Sequence, residues 1–267
     1  MWVPSRALKA TLVAVALILV LATSVMLLWN RGGATQDESL QRVQRLGKLT
    51  VGIDPSYPPF EYLSAEGEIE GYDVDLAGAI ARGLGVEPDF VSLDSGGLYD
   101  AVVAGKLDAA ISSLEPAPEY ADQLVFSHPY FNAGQVLLVR SGQGGVKNLR
   151  DLQGETVGVE ASSEGDLKLR DLAPSVPKLK VRPFSTQEML FDALRRREIA
   201  AAVVDRVAAL PETRRTGSGI VGDPLTDVPF VIVSRRSDAT LSQALDEGLT
   251  KLEREGFLRL LEDKWLR

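Results

Sequence analysis

The sequence predicts an α/β fold of two related lobes, each built around a mainly parallel sheet flanked by helices. Short runs of apolar and β-branched residues alternate with helical patterns along residues 49–111, which is typical of βαβ units. The run Thr50-Val51-Gly52-Ile53-Asp54 returns as Thr156-Val157-Gly158-Val159-Glu160, and residues 107–111 return as 199–203. This repeat favours two lobes of one design over chance similarity between short strands.

The first 36 residues predict a membrane anchor or signal segment followed by a linker. Arg6 and Lys9 precede an uncharged, mostly apolar run from Ala10 to Asn30, which is long enough to cross a hydrocarbon core of about 30 Å as a helix. A cleaved signal peptide usually has a shorter apolar stretch, so an anchor is favoured, and cleavage near Gly32 stays open. Because positive charge precedes the run, we expect the folded part outside the cytoplasm.

The composition narrows the classes of function. The chain carries a net charge of −8, which does not suit nucleic acid. It has no cysteine and one histidine, His128, so thiolate chemistry is excluded and a histidine-based metal site lacks ligands. We therefore expect no cofactor and no metal.

In the first half of the chain, strands and helices are predicted in alternation. A strand is predicted over Leu49 to Ile53, a helix over Val74 to Leu84, a strand over Phe90 to Leu93, a helix over Leu98 to Ala104 and a strand over Leu107 to Ile111. In the first helix, apolar residues four apart form one stripe, which we expect to pack on the sheet.

In the second half, local signals mark the helix boundaries. Residues 185–188 form a capping box that predicts the start of a helix, and a strand over Ala200 to Val204 follows it. The chain closes with an amphipathic helix over Leu241 to Leu252, a stop at Gly256 and a short helix whose Trp265 is expected to anchor it in the core.

Each half also has a buried strand that ends at an acid and small residues. These are Asp54-Pro55-Ser56 and Glu160-Ala161-Ser162. Open α/β sheets bind ligands beyond the carboxyl ends of their strands, so two such edges facing each other predict a ligand cleft.

An ordered set of short segments extends this interpretation over residues 47–267. The segments are Gly47-Lys48-Leu49-Thr50-Val51-Gly52, Pro58-Pro59-Phe60-Glu61, Gly71-Tyr72-Asp73-Val74-Asp75-Leu76, Gly105-Lys106-Leu107-Asp108, Phe126-Ser127-His128-Pro129-Tyr130, Asn148-Leu149-Arg150-Asp151-Leu152-Gln153-Gly154, and Gly256 with Lys264-Trp265. Together they resemble the extracellular solute-binding proteins of polar amino-acid ABC transporters, family 3.

The resemblance implies a type II periplasmic-binding-protein fold with two hinge crossings, which we expect near residues 129–134 and 226–230. Lobe 1 would then comprise residues 37–131 and 229–267, and lobe 2 residues 132–228. It also implies a monomer that closes on a small polar solute and delivers it to an ABC permease in the membrane.

The resemblance also implies a set of ligand-binding residues. Asp54 and Tyr57 follow the first strand, Asp205 matches the acid that holds a ligand ammonium, and Ser162 and Ser163 lie where the family binds a ligand carboxylate. Asp205 is alternatively a helix cap, and both roles are compatible. The full predicted set is Asp54, Tyr57, Phe60, Ser113, Glu115, Tyr120, Ser162, Ser163 and Asp205.

The chain departs from the family pattern at residues 112–120. Glu115 and Tyr120 stand where the family has a threonine and the arginine that clamps the ligand carboxylate. This change predicts an acidic, aromatic cleft suited to an amine, a guanidinium or a quaternary ammonium. Loss of binding, or an alignment that brings Arg140 or Arg206 into the site, stays open, as does a zwitterionic ligand.

Two other functions compete with transport. Some relatives on this fold are cyclohexadienyl dehydratases, for which Glu115 or Glu164 would be the general acid. Their substrates carry carboxylates, which this cleft is ill equipped to hold. The second is a membrane-tethered sensor or scavenger that binds ligand without a permease.

Overall fold

The computed structural model describes residues 23 and 37–266, and the described residues from Ser39 onward form one compact unit. The predicted export segment, Ala10 to Asn30, lies outside the described residues except for Thr23. Within the described part, no helix has the length and apolar character needed to cross a membrane.

Strands and helices alternate along the described chain, as the sequence predicts. In chain order, the strands are β1 (Lys48–Ile53), β2 (Ser56–Tyr57), β3 (Glu61–Leu63), β4 (Ile69–Glu70), β5 (Glu87–Ser92), β6 (Ala109–Ala110), β7 (Leu124–Phe126), β8 (Phe131–Asn132), β9 (Gln135–Val139), β10 (Thr156–Glu160), β11 (Lys180–Phe184), β12 (Ala201–Asp205), β13 (Gly219–Val221), β14 (Pro229–Phe230) and β15 (Val233–Arg235). The α-helices are α1 (Ser39–Leu46), α2 (Tyr72–Gly83), α3 (Ser95–Val103), α4 (Glu164–Leu172), α5 (Gln187–Arg195), α6 (Arg206–Thr216), α7 (Ala239–Arg254) and α8 (Phe257–Trp265).

The two main sheets share one design. The first has the strand order β5-β1-β6-β15-β7 and the second has the order β11-β10-β12-β9-β13. In the first, β1 runs parallel to β5 and β6, and in the second β10 runs parallel to β11 and β12. Antiparallel strands complete both sheets. The two repeated segments, β1 and β10, therefore occupy equivalent positions, which confirms the two-lobe α/β prediction.

A glycine in each central strand explains part of the repeat. A Cβ on Gly52 would lie 2.4 Å from Cδ1 of Leu107, and one on Gly158 would lie 2.5 Å from Cδ1 of Ile199. The side chains of Leu107 and Ile199 are both buried. The close approach of side chains to the sheet thus requires glycine at the same place in both lobes.

The chain passes from the first sheet to the second through β8 and returns through β14, where the crossings were predicted. The two crossing strands pair antiparallel, with Phe131 opposite Phe230 and Asn132 opposite Pro229. Neighbouring aromatic rings pack around this pair, so the crossings form part of the first lobe's core. The predicted lobe limits, residues 37–131 with 229–267 and residues 132–228, stay a prediction.

The predicted helix signals are present in the structure. In α2, the residues of the apolar stripe from Leu76 to Ala81 that face the first sheet are buried. The hydroxyl of Thr186 caps α5 by accepting from the backbone N–H of Met189 at 3.2 Å. Gly256 takes a φ of 76° between α7 and α8, a left-handed conformation that favours glycine and separates the two C-terminal helices. The helix start and the glycine stop are confirmed, but the predicted capping box is not, because Thr186 rather than Ser185 is the cap and Met189 rather than Glu188 is the third residue after it.

Trp265 fixes the last helix against the first lobe. Its indole N–H donates to Oδ2 of Asp75 at 2.7 Å, and its ring meets the ring of Tyr62 edge-on. The ring is partly buried against the first core, so the predicted anchor is also a hydrogen-bond donor to α2.

Candidate functional site

A cavity of about 460 Å³ lies where the predicted cleft was expected, beyond the carboxyl ends of β1, β6 and β12. Side chains from both lobes and from the two crossings line it. The lining residues are Asp54, Ser56, Tyr57, Glu61, Ser95, Ser112, Ser113, Leu114, Glu115, Ala133, Gln135, Glu164, Asp205, Val228 and Phe230.

Five of the residues lining this cavity carry carboxyl groups, namely Asp54, Glu61, Glu115, Glu164 and Asp205. No lysine, arginine or histidine is among its lining residues in the described part of the chain. Carboxylates confined to such a volume repel one another, and water that is displaced from them must be replaced by another partner. The cavity is therefore electrostatically suited to positive charge.

Asp54 lies where β1 gives way to the loop before β2. Its Oδ2 accepts from the backbone N–H of Ser95 at 2.8 Å, in the first turn of α3, and its own N–H donates to the hydroxyl of Ser112 at 2.9 Å. The N-terminus of a helix favours a neighbouring anion. These bonds fix Asp54 at the cavity wall.

Asp205 combines the two roles that the sequence left open. It caps α6, because its Oδ1 accepts from the backbone N–H of Ala208 at 2.9 Å. Its Oδ2 is 3.4 Å from the donor amide of Gln187, and the residue lines the cavity. The cap therefore orients a carboxylate toward the cleft.

Tyr57 and Phe60 form an aromatic pair at the cavity. Tyr57 is 44 % exposed and lines the cavity, whereas Phe60 is fully buried and does not line it. Their rings stack nearly parallel with centroids 5.8 Å apart. Partial burial, and then the negative charge of Asp205, raise the pKa of Tyr57, so its phenol stays neutral. Phe60 thus supports the ring of Tyr57 from the core side.

Glu115 and Tyr120, which replace the expected threonine and arginine, diverge in position. Glu115 is exposed and lines the cavity. Tyr120 lies in a short 3₁₀ helix, Pro118–Tyr120, and does not line the cavity. Its hydroxyl donates to Oδ1 of Asp100 at 2.8 Å and its ring stacks on Tyr99. The structure therefore packs Tyr120 against α3 rather than at the ligand cavity.

The predicted serine loop of the second lobe makes its hydrogen bonds internally. Ser163 caps α4 by accepting from the N–H of Asp166 at 3.1 Å. The backbone N–H of Ser162 donates to Oδ2 of Asp166 at 3.1 Å, and that of Ser163 donates to the carbonyl of Glu160. Neither serine lines the cavity, but the next residue, Glu164, does. In this arrangement the loop presents a carboxylate to the cavity.

Arg140 and Arg206, the alternative cations, both lie away from the cavity lining. Arg140 donates to the side chain of Gln143, and Arg206 pairs with Glu262 of α8 at 3.0 Å.

The floor of the cavity contains a carboxyl pair that was not among the predicted site residues. Glu61 on β3 is 1 % exposed and Asp73 on α2 is fully buried. The hydroxyls of Ser112 and Ser113 donate to Glu61 at 3.2 and 3.3 Å. Oδ2 of Asp73 accepts from the N–H of Ser113 at 2.7 Å and from the phenol of Tyr130 at 2.8 Å.

Burial raises the pKa of both carboxyls. For Glu61, burial and then the negative charge of Asp73 place the pKa far above its ordinary value, so Glu61 is protonated at neutral pH. For Asp73 burial also raises the pKa, but hydrogen bonds from Glu61, Tyr130 and Ser113 oppose the rise. The pair therefore carries one proton at neutral pH. Glu61 binds this proton and donates it in a hydrogen bond to Asp73.

The pair also fixes the loop that follows β6. Ser113 has a φ of 50°, which is unfavourable for a residue with a side chain. Its N–H and hydroxyl both bond to the carboxyl pair. Ser113, a predicted site residue, thus lines the cavity and connects it to the buried acids.

Comparison with known proteins gives a consistent assignment. The model of the bacterial extracellular solute-binding proteins, family 3, matches residues 49–267. The L-cystine-binding protein TcyJ of Escherichia coli strain K12 is 28 % identical over 229 residues, covering 85 % of each chain. The arginine-binding extracellular protein ArtP of Bacillus subtilis strain 168 is 28 % identical over 221 residues, covering 82 % of this chain and 86 % of ArtP. The crystal structure of an ancestral cyclohexadienyl dehydratase is 25 % identical and superimposes with a TM-score of 0.74, covering 85 % of this chain and 95 % of that one.

Proposed function

Because the chain belongs to the bacterial extracellular solute-binding proteins, family 3, we propose that it captures a small organic cation outside the cytoplasm for an ABC permease. The observation that carries this proposal is the cavity with five carboxyl side chains and, among the described residues lining it, no basic side chain. An ammonium or guanidinium group offsets the mutual repulsion of these acids and the loss of their hydration.

The aromatic wall supports a cation as well. The face of a tyrosine ring attracts an ammonium or guanidinium group within about 6 Å by roughly 0.5–2 kcal/mol. Tyr57 lines the cavity together with Glu61 and Asp205 and is held in place by Phe60. An amine or guanidinium between Tyr57 and these acids would gain both interactions.

A ligand carboxylate finds little support in the same cavity. Glu115 occupies the position of the expected threonine, and Tyr120 has turned toward Asp100. The N–H groups of Ser162 and Ser163 are already bonded within their own loop. We therefore propose that an amine or guanidinium compound without a carboxylate binds more tightly than the corresponding amino acid. The relatives TcyJ and ArtP are named for cystine and arginine, so arginine is the natural reference ligand.

Binding would close the two lobes about the crossings. Asp54, Tyr57, Glu61 and Glu115 precede the first crossing in the chain, and Asp205 ends a strand of the second sheet. A cation that contacts both groups bridges the lobes and shifts the population toward a closed form that the permease recognises. We further propose that residues 10–30 tether the protein to the outer face of the membrane and that it works as a monomer.

The enzyme alternative has less support. An ancestral dehydratase shares the fold, but a carboxylate substrate requires a positive partner, and the described lining of this cavity contains none.

A ligand panel tests the proposal. Thermal-shift and calorimetric titrations compare agmatine, putrescine and choline with L-arginine, L-glutamine and L-glutamate. Agmatine is arginine without its carboxylate, so this pair isolates the effect of that group. We expect a cation without a carboxylate to give the largest stabilisation, since a ligand at about 100 times its Kd adds about 2.7 kcal/mol to the free energy of unfolding. The largest shift with L-glutamate would contradict the proposal.

A further inference from the structure

Glu61 has an unusual position for an acid that lines a ligand cavity. Its side chain reaches the cavity although the residue is 1 % exposed, and its carboxyl contacts Asp73 beneath it. Two neutral hydroxyls, those of Ser112 and Ser113, donate to Glu61. Oδ1 of Asp73 is buried and accepts from no nitrogen or hydroxyl donor in the described chain. One proton between the two carboxyls satisfies that oxygen.

We propose that Glu61 binds the cationic group of the ligand directly and that the arriving cation replaces the proton held by Glu61. This inference rests on the proposed function and adds a specificity-determining residue to it. Before binding, Glu61 is a neutral carboxylic acid. As the ammonium or guanidinium binds, the O–H bond of Glu61 breaks, its proton leaves to solvent through the cleft, and the carboxylate pairs with the cation.

The groups that face Glu61 favour this exchange. Asp73 on α2, Asp54 after β1, Glu115 after β6 and Asp205 at the start of α6 are all acidic, and the phenols of Tyr57 and Tyr130 are neutral. Glu164 of the second lobe lines the same cavity. The cation Arg206 instead packs over the far aromatic ring, that of Phe131, and pairs with Glu262. Among the described residues, no positive side chain contacts the Glu61–Asp73 pair.

The same surroundings set the direction of the exchange. Burial and Asp73 raise the pKa of Glu61, so the unliganded protein binds the proton at neutral pH. A unit charge about 4 Å away, at an effective dielectric constant of about 20, shifts a protonation equilibrium by roughly a thousandfold. A bound cation therefore lowers the pKa of Glu61 strongly. Protons and cations compete, and ligand affinity rises with pH.

The exchange also explains how the site would reject a carboxylate. A ligand carboxylate near Glu61 strengthens the hold of Glu61 on its proton, so such a ligand binds with no proton release or with proton uptake. A cation binds with proton release. The number of protons exchanged therefore reports which end of a ligand lies at Glu61.

The test is calorimetric titration of the whole protein with agmatine at pH 7.5, in buffers that differ in their enthalpy of ionisation. The dependence of the binding enthalpy on the buffer gives the number of protons released. We expect between about 0.5 and 1 proton per agmatine, and a Kd that falls by up to about tenfold per pH unit between pH 6 and 8, as linkage of one proton requires. L-arginine is titrated in parallel.

Three variants separate this role from a structural one. Glu61→Gln resembles the neutral acid, so proton release should vanish and agmatine should bind about 10–100-fold more weakly at pH 8, as for loss of one charged hydrogen bond. Wild-type affinity should approach that of Glu61→Gln as the pH falls. Asp73→Asn keeps an acceptor for Ser113 but removes its charge, so fewer protons should be released. Glu66→Gln, in the exposed β3–β4 turn, should behave as wild type.

The outcomes distinguish this inference from the function on which it rests. Agmatine binding without proton release by the wild type, or with unchanged release in Glu61→Gln, would overturn the role of Glu61 and leave cation capture standing. Failure of agmatine, putrescine, choline and L-arginine all to bind would overturn both proposals.

Discussion

At the scale of single residues, Asp54 and Glu61 line one cavity but differ in burial and in hydrogen-bond partners. Asp54 is partly exposed and accepts an N–H at the start of α3, where a negative charge is favoured. Glu61 is buried against Asp73 and accepts hydrogen bonds from the hydroxyls of Ser112 and Ser113. Burial without a positive partner disfavours the charged form, so Glu61 keeps its proton. Two carboxyls that line the same cavity therefore differ in their partners: Asp54 accepts from a helix N-terminus, and Glu61 donates its proton in a hydrogen bond to Asp73.

The raised pKa of Glu61 predicts how stability depends on pH. In the folded protein Glu61 holds a proton that the unfolded chain releases above the ordinary glutamate pKa of about 4.3. The stabilisation from this proton is complete below that pH and is lost as the pH rises toward the higher folded-state pKa. Glu61→Gln removes the dependence. We expect the variant to be more stable than wild type at pH 8 by at least about 1 kcal/mol, or about 2–4 °C in Tm.

Thermal unfolding followed by circular dichroism at pH 4, 6 and 8 checks this expectation. The curves of wild type and Glu61→Gln should converge near pH 4, and Glu66→Gln should follow wild type at every pH. A lower Tm for Glu61→Gln at pH 8 would show that Glu61 is ionised in the folded protein.

At the scale of helices and strands, the second lobe starts two helices at the cleft. Ser163, in the loop after β10, caps α4, and Asp205, the last residue of β12, caps α6. A cap must sit at the first turn with its oxygen toward the free N–H groups of the helix. The geometry that satisfies the helix also places Glu164 and Asp205 along the cavity.

A pair of substitutions at Asp205 separates its cap from its charge. Asn is as good a cap as Asp, whereas Ala costs about 0.5–2 kcal/mol. We expect Asp205→Asn to keep wild-type stability and to weaken agmatine binding by about 10–100-fold, as for loss of a charged hydrogen bond. Asp205→Ala should lose both stability and agmatine affinity. Urea unfolding measures the stability, and calorimetry measures the affinity. Equal affinities for Asp205→Asn and wild type would remove Asp205 from the binding site.

The sequence predicted those parts of the site that depend on local signals. Asp54, Tyr57 and Asp205 follow strands with clear apolar patterns, and the structure brings all three to the cavity. Tyr120 and Glu61 depend instead on distant segments. Tyr120 turns to Asp100, twenty positions away, and Glu61 is buried by Ser112 and Asp73. Glu61 stands in the segment Pro58-Pro59-Phe60-Glu61, which pointed to its neighbourhood. Its protonation follows from tertiary burial, which local spacing does not determine.

At the scale of the whole molecule, the repeat between β1 and β10 was the most informative pattern. Both strands sit between two parallel neighbours, and both need glycine where a buried side chain approaches the sheet. Such constraints act on each strand separately and are visible in sequence. How the two lobes face each other depends on the crossings, for which sequence patterns predicted the position but not the packing.

The packing of the crossings centres on Asn132 and Gly134. Oδ1 of Asn132 accepts from the N–H of Gly134 at 2.9 Å and from that of Val228 at 3.2 Å, and its amide donates to Asp227 at 2.6 Å. One side chain thus ties the outgoing crossing to the returning one. Ala133 and Val228, which adjoin these bonds, also line the cavity.

Gly134→Ala tests whether this close packing sets the arrangement of the lobes. An added Cβ would lie 2.0 Å from the carbonyl oxygen of Thr226 and 2.9 Å from Oδ1 of Asn132. Because the first contact is with backbone, the two crossings must move apart. We expect the free energy of unfolding to fall by about 1–3 kcal/mol, which is typical of overpacking. Agmatine should also bind more weakly, since the crossings form one wall of the cavity.

Gly144→Ala is the matched control, because its Cβ would meet no atom within 4 Å. Its free energy of unfolding should stay within about 0.5 kcal/mol of wild type. Thermal unfolding and calorimetry measure both effects, and equal behaviour of the two variants would mean that the crossings tolerate separation without cost.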